Sequence, residues 1–322
     1  MAKYINDNLG GHLAMIATAL IFGLNGPLSA ILVGRDGELT PGTHMFMRFS
    51  VAAILFWVVS LFLPREKIDP KDRWRLVAAS LFGVLLNQGG FAIAMSLTTP
   101  IHQSLMASLG PVFTIVLAFI VLKEPISLLK AGGVAVGAAG ALTLLFVRTG
   151  GAGLSEGTFV GDLVALSATM SYCIYLTVYR DLIDKYSPWT LMRWLFLITL
   201  ICVAPFTVDD VLATPWADLS PKTLRSLAFV VFFATFVAYF LLPVGQKRLR
   251  PTVVSIYNYF NPVIATTLAL MWGLEEWNWA KGLAAVLVIS GVYMVTRSKS
   301  RADQLKERTE ATHNHPQTLR DN

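Results

Sequence analysis

Eleven polar side chains interrupt otherwise apolar runs of this chain: Asn25, Asn87, Gln88, His102, Gln103, Tyr172, Tyr175, Tyr239, Gln246, Tyr257 and Asn258. They are amides, phenols and one imidazole, a set of neutral donors and acceptors with aromatic faces. Such a set suits binding a small amphipathic solute better than breaking its bonds. Polar groups within a membrane are costly and turn to a bundle interior or a watery cavity. For any single one, a hydrogen bond between helices is the plain alternative. Three prolines, Pro27, Pro111 and Pro262, lie in the same runs and should kink their helices. A proline inside a helix removes the donor for the carbonyl four residues earlier, so Pro111 should free that of Ala107 and Pro262 that of Asn258. In hydrocarbon such backbone survives only where it faces protein or a watery cavity. These carbonyls are candidate acceptors for a substrate ammonium.

Catalysis needs more than this. The chain has no His-Glu-x-x-His, no Gly-x-Ser-x-Gly, no intramembrane pair of aspartates and no Walker phosphate loop. An intramembrane enzyme is therefore the weaker reading, and an ATP-driven pump has no motif. No metal or cofactor is expected. Cys173 and Cys202 both sit in apolar runs, where packing is the expected role.

The elements that must hold these residues follow from composition. With 322 residues, 55% hydrophobic, 14% charged and a mean hydropathy of +0.59, the chain is expected to be an all-α polytopic membrane protein. The net charge of +6 resides in loops and tail with no basic stripe, so nucleic acid is not an expected partner. A hydrocarbon core of about 30 Å needs about twenty helical residues. Ten apolar windows meet this: 11–33, 43–63, 74–98, 100–121, 127–147, 159–180, 189–207, 223–246, 251–272 and 278–296. The first, with only Lys3 before it and no small-residue cleavage pattern after it, is expected to be a span and not a cleaved signal. A longer linker is expected over 208–222 and a polar, disordered tail over 297–322.

The chain repeats itself. At an offset of 151, residues 100–140 superpose on 251–291 and match Pro100 with Pro251, Ser104 with Ser255, Pro111 with Pro262, Glu124 with Glu275, Lys130 with Lys281 and Gly140 with Gly291. A proline followed by an arginine just inside the second span also recurs, as Pro41 with Arg48 and Pro188 with Arg193. Orientation follows from Lys and Arg: with the N-terminus inside, the cytoplasmic side collects 19 against five outside, so both termini are expected in the cytoplasm. Five spans per half is odd, so the halves should cross the membrane in opposite senses. The expected fold is ten transmembrane helices as two inverted five-helix repeats around a central cavity, with units over 11–147 and 159–296 and a linker over 148–158. Secondary transporters use this plan, with the site at the repeat interface.

Two five-helix units, each with a proline-containing fourth helix, a Leu-Lys-Glu-Pro or Gly-Leu-Glu-Glu turn and a Gly-rich last helix, resemble the EamA-type permeases of the drug/metabolite transporter superfamily, and most of all the aromatic amino acid exporters of the YddG type. The second copy departs from the family turn by having no proline after Glu275-Glu276, and it lacks a glycine matching Gly133. The resemblance implies an inner-membrane, multi-pass exporter of neutral aromatic or hydrophobic amino acids and related metabolites, working by alternating access. With all twenty carboxylates in loops, tails or end turns, facilitative transport is expected, and a proton-coupled carrier of broad specificity is the alternative. Gln88 and Tyr239, related by the same offset, should meet across a pseudo-twofold axis. His102 is placed toward the outer end of its span and Gln246 at the inner end of the eighth. The ridge of Gly133, Gly137 and Ala141 is expected to pack inside the bundle of a monomer. The partners are then a small-molecule substrate and the lipid bilayer.

Overall fold

The computed structural model describes residues 2–33, 37–98, 103, 106–148, 159–261, 263–264, 267 and 277–298. All regular structure among them is helical. Among the described residues, seven helices are long and apolar enough to cross a membrane. In chain order the elements are α1 (Ala2–Val33), α2 (Pro41–Ser60), α3 (Pro70–Leu97), α4 (Met106–Leu122), α5 (Leu128–Arg148), α6 (Phe159–Val178), the short α7 (Arg180–Lys185), α8 (Pro188–Ala213), α9 (Pro221–Arg248), α10 (Pro251–Ile256, continued by a 3-10 turn over Tyr257–Tyr259) and α11 (Trp279–Arg297).

Local sequence sets the helix starts. Thr40, Ser187 and Ser220 each stand before a proline, and each side chain accepts the backbone N–H three residues on. The cap satisfies one of the donors a helix start leaves unpaired, and the proline sits where its missing N–H costs nothing. Asp69 caps Lys71 ahead of Pro70 in the same manner.

Two stretches depart from α-helical winding. Residues Leu81–Gly89 of α3 and Phe232–Val237 of α9 are π-helical. Their starts are 151 residues apart, as are Pro70 and Pro221. A π turn widens the helix and re-aims the side chains that follow, and such turns gather at functional sites.

The packing sorts into pairs. α5 lies along α11, α2 along α8, α1 along the second part of α9, α3 along α6, and α4 against both α6 and α10. Between α5 and α11 the backbones nearly touch: a Cβ on Gly291 would fall 2.6 Å from the Gly133 carbonyl oxygen and the Gly137 nitrogen. The small-residue ridge therefore packs within the chain. Around the bundle, Ile54, Phe119, Ile120, Phe206 and Ile289 face outward, as lipid-facing side chains do, while Phe49, Phe56, Phe196 and Tyr259 fill the interior.

Three expectations are corrected. The linker placed over 208–222 is shorter, because α8 continues through Asp209 and Asp210 to Ala213. Its end is closed by Thr214, whose hydroxyl donates to the Asp210 carbonyl at 2.8 Å; the apolar pattern stops at 207, but helical hydrogen bonding does not need it. The fourth span is not one kinked helix around Pro111. A turn at Leu109, with its N–H on Met106, precedes a helix from Gly110 that holds Pro111 in its first turn. Pro111 still has no N–H to offer the Ala107 carbonyl, which lies in the helical residues just before that turn. Pro27 lies inside α1 and is exposed, so it does not face the bundle interior. Pro262, His102, the linker over 149–158 and the tail beyond 298 lie outside the described residues.

Candidate functional site

α3, α6 and α9 bring six of the expected residues together. Asn87 and Gln88 end the π stretch of α3, and Tyr239 follows the π stretch of α9. The Gln88 side chain is within hydrogen-bonding reach of the Tyr239 hydroxyl, so the two offset-related residues do meet. Gln88 also donates Nε2 to the Asn87 Oδ1 at 2.9 Å, and Asn87 donates Nδ2 to the Ala168 carbonyl of α6 at 2.9 Å. From α6, Tyr172 accepts from Gln246 Nε2 at 3.1 Å, and its ring lies 6.3 Å from that of Tyr175. Gly83 admits the Tyr175 ring: a Cβ there would stand 2.7 Å from it. Gln88 and Tyr172 are only half-buried, so part of each borders space instead of neighbours.

Aromatic rings continue the wall. Tyr239 meets Phe196 of α8 edge-on at 5.1 Å and Phe22 of α1 at 6.1 Å, and Phe196 stacks on Phe56 at 5.6 Å. Pro243, inside α9, removes the helical donor for the Tyr239 carbonyl. This interior proline was not among those inferred to shape the site.

Several buried polar atoms here have no hydrogen-bond partner among the described residues. Gln246 is fully buried with Oε1 unpaired, and Tyr175 is buried with its hydroxyl unpaired. The cluster also holds a pair the candidate set omitted. His44 and Arg48, one turn apart on α2, are 0% and 1% exposed. Arg48 donates Nε to Thr235 Oγ1 of α9 at 2.8 Å, while both of its terminal nitrogens and both ring nitrogens of His44 are unpaired. The signal was present in Pro41 with Arg48, but it served only as a mark of the repeat. Spacing of four put His44 on the same face.

The remaining expected residues sit elsewhere. Tyr257 shares a 2.7 Å hydrogen bond with His12 Nδ1 of α1 and stacks on Phe260. Asn258 faces Gly110 of α4. Gln103 donates to the Phe91 carbonyl at 2.9 Å, and Asn25 accepts from Ser29 within its own helix. Near Pro111, the Gly110 carbonyl is taken by Thr114 and by Cys173 Sγ, so that backbone is already satisfied.

At one end of the bundle the polar groups are paired. Lys185 donates to Asp72 at 2.6 Å and Asp69 at 3.3 Å, Tyr186 donates to Asp72 at 2.6 Å, Arg75 meets Asp181 at 2.6 Å, and Ser187 donates twice to Glu66. The loop between α2 and α3 is thus tied to the one between α6 and α8. Arg180 adds hydrogen bonds to the carbonyls of Gln246, Lys247 and Leu249 at the end of α9. Hydrogen bonds from the Lys71 backbone and from Lys185 hold the Asp69 carboxyl below its ordinary value. Burial pushes Glu66 up, but the Ser187 donors outweigh it and leave it low. Its hydrogen bond to Asp72 raises Lys185. A separate buried pair, Lys130 with Glu124 at 2.8 Å, also receives Thr252 of α10.

No group of three or more His, Cys, Asp or Glu suited to a metal occurs among the described residues. The comparisons agree with the arrangement. A model of the EamA-like transporter family matches twice, over residues 9–146 and 159–297. An uncharacterized transporter of Archaeoglobus fulgidus is 25% identical over 81% of this chain and 90% of its own. The uncharacterized transporter YetK of Bacillus subtilis is 21% identical over 96% and 93%, and a WAT1-related protein of Arabidopsis thaliana is 21% identical over 82% and 78%. One solved crystal structure superposes with a TM-score of 0.71 at 19% identity, covering 90% of this chain and 96% of that one, and so shares the fold. This chain belongs to the EamA-like transporter family.

Proposed function

We propose that the protein is an inner-membrane exporter of neutral amino acids with large apolar or aromatic side chains, working by alternating access between two inverted five-helix repeats, with both termini cytoplasmic. The observation that carries the reading is the cluster between α2, α3, α6, α8 and α9: unpaired acceptors and donors set against an aromatic wall, in a chain of a transporter family. Gln246, with Oε1 unpaired among the described residues, is an entry-side acceptor at the inner end of α9, and the rings of Phe22, Phe196 and Tyr239 suit the apolar side chain of the solute. Aromatic contacts of this kind are worth about 0.5–1.5 kcal/mol each.

A twofold relation between the halves is supported by the helix pairs, and an odd number of spans in each half makes it an inverted one. Exchanging each helix with its counterpart in the other half maps α3 against α6 onto α9 against α1, and leaves α2 with α8 and α5 with α11 in place. Ten spans follow when α4, α5 and the apolar run over 251–272, which α10 opens, are counted with the seven long helices. Reporter fusions at Arg148 and after Arg297 are expected on opposite sides of the membrane; the same side would sink the topology.

Counterflow in proteoliposomes tests the substrate. Unlabelled phenylalanine inside should drive uptake of labelled phenylalanine, and preference for glutamate or lysine would overturn the reading. One observation favours a second reading, a proton-coupled carrier: His44 is a buried imidazole inside α2. Concentrative uptake under an imposed pH gradient, lost in His44→Ala, would establish it over facilitative transport.

A further inference from the structure

Arg48 is a full positive charge inside an apolar bundle. Among the described residues no carboxylate lies within ion-pair distance of it. Its titratable neighbours are His44, on its own helix, and Tyr239 of α9, neither an anion at neutral pH. A buried charge without a counter-charge is costly, and natural membrane proteins keep one where function requires it. On the same helix, Ala52, one turn further along, and Phe49 are 0% exposed.

The guanidinium is also held in place. Arg48 Nε donates to Thr235 Oγ1 at 2.8 Å, and that hydroxyl donates onward to the Val230 carbonyl at 2.8 Å, five residues back at the start of the π stretch. One edge of the group is thus occupied and oriented. The two terminal nitrogens form a buried fork, each with no hydrogen-bond partner among the described residues. A planar fork of this kind matches the two oxygens of a carboxylate. The anchoring residue comes from α2 and its orienting hydroxyl from α9, which belong to opposite halves of the chain.

From this we propose that Arg48, oriented by Thr235 and flanked by His44, binds the carboxylate group of the transported solute. The aromatic face of Tyr239 and Phe196 lies alongside, so the ligand class is a monocarboxylate carrying an apolar body. Gln246 lies eleven residues beyond Thr235 on α9, about 16 Å along the helix, so it is not part of this carboxylate site. The assignment rests on the transporter reading but not on the aromatic preference within it.

Binding to the purified full-length protein in nanodiscs tests this with three probes: phenylalanine, phenylalaninamide, which lacks the carboxylate, and 3-phenylpropionate, which lacks the ammonium. Wild type should bind phenylalanine at least tenfold tighter than the amide, and should bind 3-phenylpropionate measurably. Arg48→Gln should lose at least tenfold for both carboxylates and leave the amide unchanged, abolishing the discrimination. Thr235→Val keeps the charge and removes its orienting bond, and should weaken the carboxylates several-fold; it serves if Arg48→Gln does not fold. Equal binding of acid and amide by wild type would overturn the proposal, with no variant needed, as would unaltered carboxylate binding by Arg48→Gln. Pyruvate separates the two claims. If it binds in an Arg48-dependent manner and phenylalanine does not, the carboxylate site stands and the aromatic preference falls.

Discussion

The paired end of the bundle and its unpaired middle use the same chemistry to opposite ends. Around Asp69, Asp72 and Lys185, each of the three charges meets one of opposite sign. At Arg48, Tyr175 and Gln246, buried donors and acceptors have no hydrogen-bond partner among the described residues. Loop residues near water form pairs cheaply, so those pairs say little about function. Buried polar atoms with no partner carry a desolvation cost that folding alone does not explain. The difference separates what holds the two halves together from what the proposed solute would satisfy.

The largest expected effect tests the partnered class where it is most buried. Lys130→Met removes one member of the pair with Glu124, whose side chains are 2% and 11% exposed. A buried carboxylate left with only Thr252 should cost about 3–5 kcal/mol. The double variant with Glu124→Leu should recover most of it, read as chemical denaturation of the reconstituted protein. A single variant as stable as wild type would remove the pair from the structural side of the comparison.

Next comes the unpartnered class. Gln246→Leu should lower phenylalanine transport about tenfold or more, the worth of one hydrogen bond to a charged group. Part of that change comes through Tyr172, which loses its donor; Tyr172→Phe alone should therefore cost less. Equal losses in both variants would place the effect in the Gln246–Tyr172 bond and not in the unpaired oxygen.

Tyr175→Phe is smaller and points the other way. The deleted hydroxyl has no partner, so thermal stability should hold or rise slightly while transport falls several-fold. A stability loss instead would mean that the hydroxyl is bonded in the folded protein.

Much of this layout was legible beforehand and some was not. Apolar run length located the helices, and the 151 offset paired Gln88 with Tyr239 before any coordinate did. The offset works because duplicated helices keep their polar positions at equivalent depths. Proline was the poorer guide. Pro111 reads as a kink from composition, yet the turn at Leu109 turns it into a helix start, an outcome decided by how the preceding residues wind. π-helical winding leaves no mark in hydropathy, so the stretches that aim Gln88 and Tyr239 were invisible. His44 and Arg48 were missed for another reason. Both lie in the first two turns of α2, where charge usually reads as an interfacial residue, and only burial distinguishes them.

The smallest effect concerns pH at the paired end, and its sign follows from the shifts. Asp69 and Glu66 are held below their ordinary values of 3.8 and 4.5, so their contribution is present above those values and is lost as pH falls through the lower folded ones. Lys185 is raised above 10.5, so its contribution is full below that value and is lost as pH rises past it. Between about pH 5 and 10 the tie between the α2–α3 loop and the α6–α8 loop should therefore be pH-independent. Acidification below pH 4 should loosen it, read as faster hydrogen exchange of the amides of Lys71 and Ser187, which donate to Asp69 and Glu66. Substrate contacts at Gln246 should not follow the same curve, because that side chain does not titrate. If phenylalanine binding and the exchange of these amides fell together with one midpoint, the paired end would be setting the geometry of the unpaired middle, and the two regions would have to be treated as one.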